Sequence, residues 1–473
     1  MTRRNLIALA AASPTFAPAL QRRRPPNILF FFPDQHRPDW TGASTRLGIR
    51  TAVLDSIALE GTRFSSALCA SPLCAPSRAT LASGREYGRA GVRNNGQDYP
   101  LTLPTFYQSL REAGYHVLGC GKFDLHKATR DWGIDGRRFL PEWGFSDGID
   151  NAGKMDAVAS GAQEPRDPYM AYLHSRGLAA RHVEDFRRRQ SRFSYVNTDP
   201  TPLPEDAYCD NWIGANGLAL LRSAPAGKPW FLQVNFTGPH SPLDITRRME
   251  RGLRTRTFPQ PVETTQYTAD RHVIIRQNYT AMVENIDRWL GLYLEEIQRR
   301  GETANTFIVY SSDHGEMLGD HERWGKSVPY HPAVGIPLYI KGPGVRRNVV
   351  SNALVSLIDL APTFLDWAGA PRLRDTDSFT LRPLLEGKAT AHRDHVLSGL
   401  DRWRMVFDGR YKLIRGFESR PPGTTGQSAG ARTAAAAEPP VLLFDRKLDP
   451  QERINIARKS PHQVTRLSKL LGS

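Results

Sequence analysis

The feature that most constrains the fold is a set of short, unbroken apolar runs, each cut off by a polar or glycine-bearing segment. Asn27-Ile28-Leu29-Phe30-Phe31-Phe32 stops at Pro33-Asp34-Gln35-His36. A strand with one wet face alternates polar and apolar side chains, so an unbroken run marks a strand covered on both faces. Similar runs recur at 115–119, 231–236, 306–311 and 337–340. Helical patterns lie between them. Phe106, Leu110 and Ala113 recur at helical spacing before Gly114, which reads as a stop. Tyr279, Met282, Val283, Ile286, Leu290, Tyr293 and Ile297 form a long apolar stripe ended by Gly301. Strands alternating with helices predict an α/β fold, a doubly wound, largely parallel sheet flanked by helices. In such sheets chemistry gathers beyond the carboxyl ends of the strands.

Near residue 370 the pattern changes. Residues 404–414 read as a hairpin turned at Asp408-Gly409, and 441–444 as a further strand before a closing helix. A catalytic domain is expected over 25–370 and a smaller C-terminal α+β subdomain with an antiparallel sheet over 371–473. Residues 418–440, rich in Gly, Ala, Thr and Pro, read as a loop.

Residues 1–24 read as an export segment. Arg3-Arg4 precede an apolar stretch from Leu6 to Ala12, and small residues follow at Ala17–Ala19. This pattern fits a bacterial signal of the twin-arginine type, so the mature protein is expected in the periplasm or outside the cell. The stretch is far short of the ~20 residues a membrane span needs, and no other segment could serve. The net charge is +15. That surplus suits anionic partners, although it is equally a matter of arginine usage. No nucleic-acid motif is present, so nucleic acid is not an expected partner. Cys69, Cys74, Cys120 and Cys209 are too few for a disulfide scaffold in a 473-residue chain, and no Cys-x-x-Cys pair suggests thiolate zinc. Cys69 and Cys120 lie in apolar surroundings and read as core.

Two polar pairs follow predicted strands: Asp34-Gln35 after the first, and Asp313-His314 after 306–311. Carboxylate and amide oxygens at neighbouring strand ends suit a hard divalent cation. An Asp after a strand is just as commonly a helix cap. The run Leu73-Cys74-Ala75-Pro76-Ser77-Arg78, continuing through Leu81-Ala82-Ser83-Gly84-Arg85, is far more specific. It resembles the sulfatase signature Cys-x-Pro-Ser-Arg with its Leu-x-x-Gly-Arg tail. The likeness continues at Gly121-Lys122, Gly238-Pro239-His240, Ser312-Asp313-His314-Gly315-Glu316, Lys326, and Leu443-Phe444-Asp445 to Asp449-Pro450 with Glu452. The family has the alkaline phosphatase superfamily fold.

The resemblance implies that Cys74 is oxidised to formylglycine (3-oxoalanine) by a formylglycine-generating enzyme. The hydrated aldehyde is a geminal diol: one hydroxyl attacks sulfur, and proton loss from the other expels sulfate. It also implies a metal held by Asp34, Gln35, the residue at Cys74, Asp313 and His314. Ca2+ is the expected ion, with Mn2+ the alternative because an imidazole ligand is poorly matched to calcium. Arg78, Lys122, His240 and Lys326 would offset charge that grows on the sulfate oxygens. Of these Lys122, His240 and Lys326 also bind substrate, and the general acid is His240 or Lys326. Read individually, Arg78 could equally pair with a nearby carboxylate.

Three positions depart from the common pattern. Many relatives place a histidine two or three residues after the Gly-Lys lysine, whereas here His126 stands four after Lys122, with Asp124 between. His126 is the expected base that assists sulfate release, and Asp124 is a second candidate for the pocket. His314 stands where many relatives have asparagine, as in choline-sulfatase-like and phosphonate-monoester-hydrolase-like branches. Asn95 fits a substrate-binding asparagine of those branches and equally fits a turn.

The expected function is sulfuric ester hydrolysis, releasing inorganic sulfate from a sulfated carbohydrate or similar small ester. The alternative within enzymes is a phosphonate monoester or phosphodiester hydrolase on the same nucleophile. The distant alternative is a non-catalytic binder of sulfated glycans. Specificity is expected from residues 150–201 and 418–440.

Overall fold

The computed structural model describes residues 24–44, 47–191, 194–418 and 440–471. Residues 1–23 of the expected export segment and residues 419–439 of the expected loop lie outside them. Fourteen strands lie among the described residues: β1 (Asn27–Phe31), β2 (Thr62–Phe64), β3 (Ala67–Leu68), β4 (His116–Gly121), β5 (Asp147–Asp150), β6 (Trp230–Asn235), β7 (Thr306–Ser311), β8 (Leu338–Lys341), β9 (Val349–Ser351), β10 (Val355–Ser356), β11 (Val396–Leu400), β12 (Trp403–Phe407), β13 (Tyr411–Arg415) and β14 (Leu442–Asp445).

Eight strands form one sheet in the order β5-β4-β6-β1-β7-β8-β2-β9. The strands from β5 to β7 are mutually parallel, and β8 runs against both of its neighbours. The reversal at β8 has a local cause. Residues 312–337 hold only short helical turns such as His331–Val334, so the chain leaves β7 and re-enters the sheet without the long crossover a parallel return requires.

The unbroken apolar runs do what their composition requires. In β1, Ile28 and Phe30 join one core cluster while Leu29 and Phe31 join the other. Phe307 and Val309 of β7 face the first cluster, and Ile308 and Tyr310 the second. Each buried Phe or Ile contributes roughly 1.5–3 kcal/mol. Helices Cys74–Ser83, Phe106–Glu112 and Leu360–Ala368 cover one face. Helices Ala52–Glu60 and Cys209–Ser223 and the later turns of Ala269–Arg299 cover the other. A capping box between Thr105 and Gln108 starts the Phe106 helix. The long predicted stripe lies on Ala269–Arg299, with Arg300 as its C-cap and Gly301 next at φ 68°.

A second, antiparallel sheet has the order β11-β12-β13-β14. The hairpin at Asp408-Gly409 pairs β12 with β13, from Arg404 opposite Arg415 to Phe407 opposite Lys412. Sequence reading missed β11. Met405, Phe407, Ile414 and Phe444 pack into the first core cluster of the large sheet. Val406, Leu413 and Leu443 face the other way, onto Leu467 of helix Pro461–Ser468. One face of this sheet is thus anchored on the main body, and its β11–β12 turn reaches the cavity described next.

Candidate active site

All five parallel strands deliver polar residues at one edge of the sheet. Asp34 follows β1, Lys122 follows β4, Gly153 to Asp156 follow β5, Thr237 and His240 follow β6, and Asp313 and His314 follow β7. A cavity of about 420 Å3 opens there. Cys74, Asn95, Lys122, His240 and Lys326 line it, together with Asn94, Lys127, Arg130, Lys154, Asp156, Thr237 and Asp401.

Cys74 is the first residue of a fully buried helix, and Pro76 sits within its first turn, where a missing N–H costs nothing. The Ala75 N–H donates to Asn95 Oδ1 at 3.1 Å, so Asn95 caps this helix while lining the cavity. Asp34, Cys74, Asp313 and His314 each bring one potential ligand atom, all within 4.8 Å of one another. Cys74 Sγ lies 3.5 Å from His314 Nε2 and 3.9 Å from Asp34 Oδ1. The His314 Nδ1–H donates to the Gly315 carbonyl at 3.1 Å, which leaves the Nε2 lone pair turned toward the carboxylates. Gly315 is required there, because a Cβ would lie 2.0 Å from the Pro332 carbonyl oxygen. Two carboxylates, an inward imidazole nitrogen and the Cys74 position make a donor set that fits a divalent cation.

Arg78 stands behind this cluster rather than in the cavity. Its Nε donates to Asp313 Oδ2 at 3.1 Å and its Nη2 lies 3.3 Å from Asp34 Oδ2. It also donates to the Lys122 carbonyl. A guanidinium in this setting aligns both carboxylates at once. The expected contact of Arg78 with substrate oxygens is therefore replaced by pairing with carboxylates.

The electrostatics are dominated by burial and close charge. Burial alone raises the Asp34 carboxyl, but Lys122, His240, Lys326 and Arg78 together hold it well below the usual carboxylate range. Burial and Asp34 push the Cys74 thiol up, yet Lys122, Lys326 and a hydrogen bond from His240 bring it well below the ordinary thiol range. Lys122 pairs with Asp34 and lies 3.0 Å from Asp124. Gly121, just before Lys122, lets β4 lie against the end of β6. Its φ is 104°, and a Cβ would meet the Asn235 carbonyl oxygen at 2.0 Å.

With this geometry in place, comparison with known proteins is decisive: the Sulfatase family model matches residues 26–370. The chain belongs to the sulfatase family. It is 26% identical over 398 residues to an arylsulfatase of Clostridium perfringens, covering 78% of this chain and 80% of that protein. It is 26% identical over 434 residues to an N-acetylglucosamine-6-O-sulfatase of Bacteroides thetaiotaomicron, covering 82% of this chain and 76% of that one. Its fold matches a phosphonate monoester hydrolase from Silicibacter pomeroyi with a TM-score of 0.74 at 22% identity, over 94% of each chain. The protein is thus a sulfatase enzyme on the alkaline phosphatase superfamily fold.

One expected site residue of this sulfatase sits elsewhere. His126 does not reach the cavity. Its ring packs among Trp132, Phe139 and Trp143 at centroid distances of 5.4, 5.0 and 5.2 Å. Its Nδ1 is 3.4 Å from Asp150 Oδ2, and burial lowers its pKa to about 4. The extra residue in the loop carries the imidazole past the opening and into an aromatic cage. Lys127, the next residue, lines the cavity instead. Gln35, expected among the metal ligands, directs its side-chain oxygen to Lys326, whose Nζ donates to Oε1 at 2.6 Å. Asp124 is buried between Lys122 and Lys127 without lining the cavity.

Lys127, Lys154 and Asp156 were not singled out from sequence. Lys127 Nζ donates to both Asp124 oxygens at 3.1 Å and to Asp156 Oδ2 at 2.6 Å. Lys154 pairs with Asp244 at 2.7 Å. The adjacency of Lys127 to His126 was the one available signal. Lys154 and Asp156 carry no motif and arrive on helix Lys154–Gly161, within the stretch where specificity was expected.

Proposed function

We propose that this sulfatase hydrolyses the sulfate ester of a small sulfated carbohydrate through a formylglycine made from Cys74. The observation that carries the reading is the Asp34, Cys74, Asp313 and His314 cluster at a cavity also lined by Lys122, His240 and Lys326. Hydrated formylglycine would supply one oxygen to attack sulfur and a second whose deprotonation releases sulfate. A divalent cation held by Asp34, Gln35, Asp313, His314 and the residue at 74 would polarise that nucleophile and one sulfate oxygen. Ca2+ is the ion proposed, and the nitrogen ligand also admits Mn2+. A formylglycine-generating enzyme is the maturation partner this requires, and the paired arginines at the N-terminus support export before action on an extracellular substrate.

The chain's own residues do the rest. Arg78 holds the two carboxylates in register. Lys122 and Lys326 bring positive charge to oxygens on which negative charge develops. His240 donates its Nδ1–H to the Ser241 carbonyl, so Nε2 is the position that exchanges a proton with the leaving oxygen. Asn95 contributes to the substrate wall. The N-acetylglucosamine-6-O-sulfatase relative supports a sulfated sugar as substrate. We place the boundary between the catalytic domain and the C-terminal subdomain near residue 370, where the family match ends.

Mass spectrometry of the Cys74 peptide from the native host tests the nucleophile: formylglycine lies about 18 Da below cysteine. Full retention of thiol there defeats the mechanism. A second reading, phosphonate monoester hydrolysis, is favoured by His314 in the cluster and by the fold match at TM-score 0.74. Turnover of an aryl sulfate against an aryl phosphonate separates the two, and a clear excess for phosphonate selects the second.

A further inference from the structure

Two carboxylates line the cavity, and their settings differ. Asp156 pairs with Lys127 at 2.6 Å. The Asp401 side chain has no hydrogen bond or ion pair among the described residues. A carboxylate that shares a cavity with a sulfate ester repels it. That cost is offset where the carboxylate accepts a hydrogen bond from another part of the same molecule.

Asp401 opens the turn between β11 and β12, with φ 49°. The turn is fastened at three points. The Gly399 N–H donates to the carbonyl of Ala70, upstream of Cys74, at 3.1 Å. The Trp403 Nε1–H donates to the carbonyl of Ser327, the residue after Lys326, at 3.3 Å. The Asp401 N–H donates to the Tyr87 hydroxyl at 2.9 Å, and that hydroxyl donates to the Arg93 carbonyl at 2.8 Å. Asn94 comes next in the chain and lines the same cavity. Its Oδ1 accepts the Gly96 N–H at 2.8 Å, which fixes the amide and leaves Nδ2 as its free end. An amide nitrogen only donates and a carboxylate only accepts, whereas a hydroxyl does both. Leu400, also in the lining, adds an apolar surface of the kind that meets the C–H face of a sugar ring.

We infer that Asn94 and Asp401 form a hydroxyl-recognition pair that holds the sugar ring of the substrate by a free ring hydroxyl, or a vicinal pair, beyond the sulfate group. The inference rests on the sugar-sulfate reading and sharpens it: the sulfated ring must itself offer a free hydroxyl, which an aryl sulfate does not. A site built to hydrogen-bond a hydroxyl discriminates strongly against an analogue without one, because its own polar groups then lose their partner. The C-terminal sheet thereby supplies a specificity-determining residue to a site whose nucleophile comes from the main body.

The test uses the full, matured, metal-loaded enzyme. It compares 4-nitrophenyl sulfate with a panel of monosulfated hexoses, hexosamines and N-acetylhexosamines. The readout is kcat/KM for the best sugar sulfate divided by kcat/KM for the aryl sulfate. Asp401→Gly removes the carboxylate at a position where glycine adopts positive φ without strain. It is expected to lower that ratio roughly 10- to 100-fold, and Asn94→Ala roughly 3- to 10-fold. Asp401→Asn, which also tolerates this backbone conformation and keeps one acceptor oxygen, should fall between wild type and Asp401→Gly. Deoxy analogues locate the contact. Removing the recognised hydroxyl should cost the wild type about as much as Asp401→Gly does, and should cost that variant little further. An unchanged ratio in Asp401→Gly, or losses that add independently at every ring position, overturns the inference and leaves the sugar-sulfate reading standing. A preference for a free amine over its N-acetyl form that disappears in Asp401→Gly makes the partner an ammonium and overturns the hydroxyl assignment. A wild type that turns over the aryl sulfate and no member of the sugar panel defeats the sugar reading itself, and the inference with it.

Discussion

The cavity has two walls of different construction. The metal-fitting wall takes Asp34, Cys74, Asp313 and His314 from three separate places in the chain, and its carboxylates are braced from behind by Arg78. The other wall takes Lys122 and Lys127 from the loop after β4 and Lys154 and Asp156 from the helix after β5, and its lysines are already matched by Asp34, Asp124, Asp156 and Asp244. The first wall gathers negative charge into a space that calls for a cation. The second is nearly neutral pair by pair and shapes the space more than it attracts. Lys326, whose nitrogen meets an amide oxygen, and His240 stand where the two walls meet. An anionic group should therefore be drawn to the seam beside Cys74 rather than spread over the lysine-rich flank.

Four predictions probe this contrast, beginning with the metal-fitting wall. Cys74→Ala should cost at least about 10⁴-fold in turnover while circular dichroism and Tm remain near wild type. Substantial residual turnover removes Cys74 from the reaction. Asp34→Asn should lose roughly 10³-fold together with most of the bound metal, and retention of full metal stoichiometry contradicts its place as a ligand. On the flank, Lys127→Met leaves Asp124 with Lys122 alone and Asp156 without its ion-pair partner. KM for an anionic ester should rise about tenfold with a smaller change in kcat, and Tm should fall, because a buried charge left unpaired is costly. An equal loss in kcat and kcat/KM would move Lys127 into the chemistry.

The smallest effect is expected at His126. His126→Phe should leave turnover within about threefold of wild type, since the ring lies outside the cavity. It should instead flatten the acid limb of stability. Burial lowers the folded-state pKa of His126 from 6.5 to about 4, so the unfolded chain takes up the proton first. Stability is full above about pH 6.5 and is lost as pH falls toward 4, by on the order of 1–3 kcal/mol. Chemical denaturation of wild type and variant across that window checks the slope. A hundredfold loss of activity in the variant would return His126 to the reaction.

Much of the metal-fitting wall was legible because it is written in short, contiguous motifs. Cys74 with its Pro-Ser-Arg, Asp34 after an apolar run, and Asp313-His314 after another each combine a residue type with a strand end. The flank was not legible for the opposite reason. Lys154 and Asp156 have no local signature, and a lysine in sequence is usually a solvated surface group. His126 was misplaced because a shift of one residue in a loop turns a side chain in another direction, and spacing alone does not say which neighbour takes the vacated place. For Gln35 the fold adds what spacing does not show: its Oε1 accepts from Lys326, a residue distant in the chain.

The sequence by itself determined the layered fold, the signature around Cys74 and the family, because apolar runs and their terminating residues act locally and a motif stays within one turn. Which cations face the cavity, how Arg78 braces the carboxylates from behind, and where Lys326 meets the Gln35 amide oxygen were settled by tertiary packing. Those outcomes depend on charges brought within hydrogen-bonding distance from strand ends hundreds of residues apart, where burial makes each pairing obligatory.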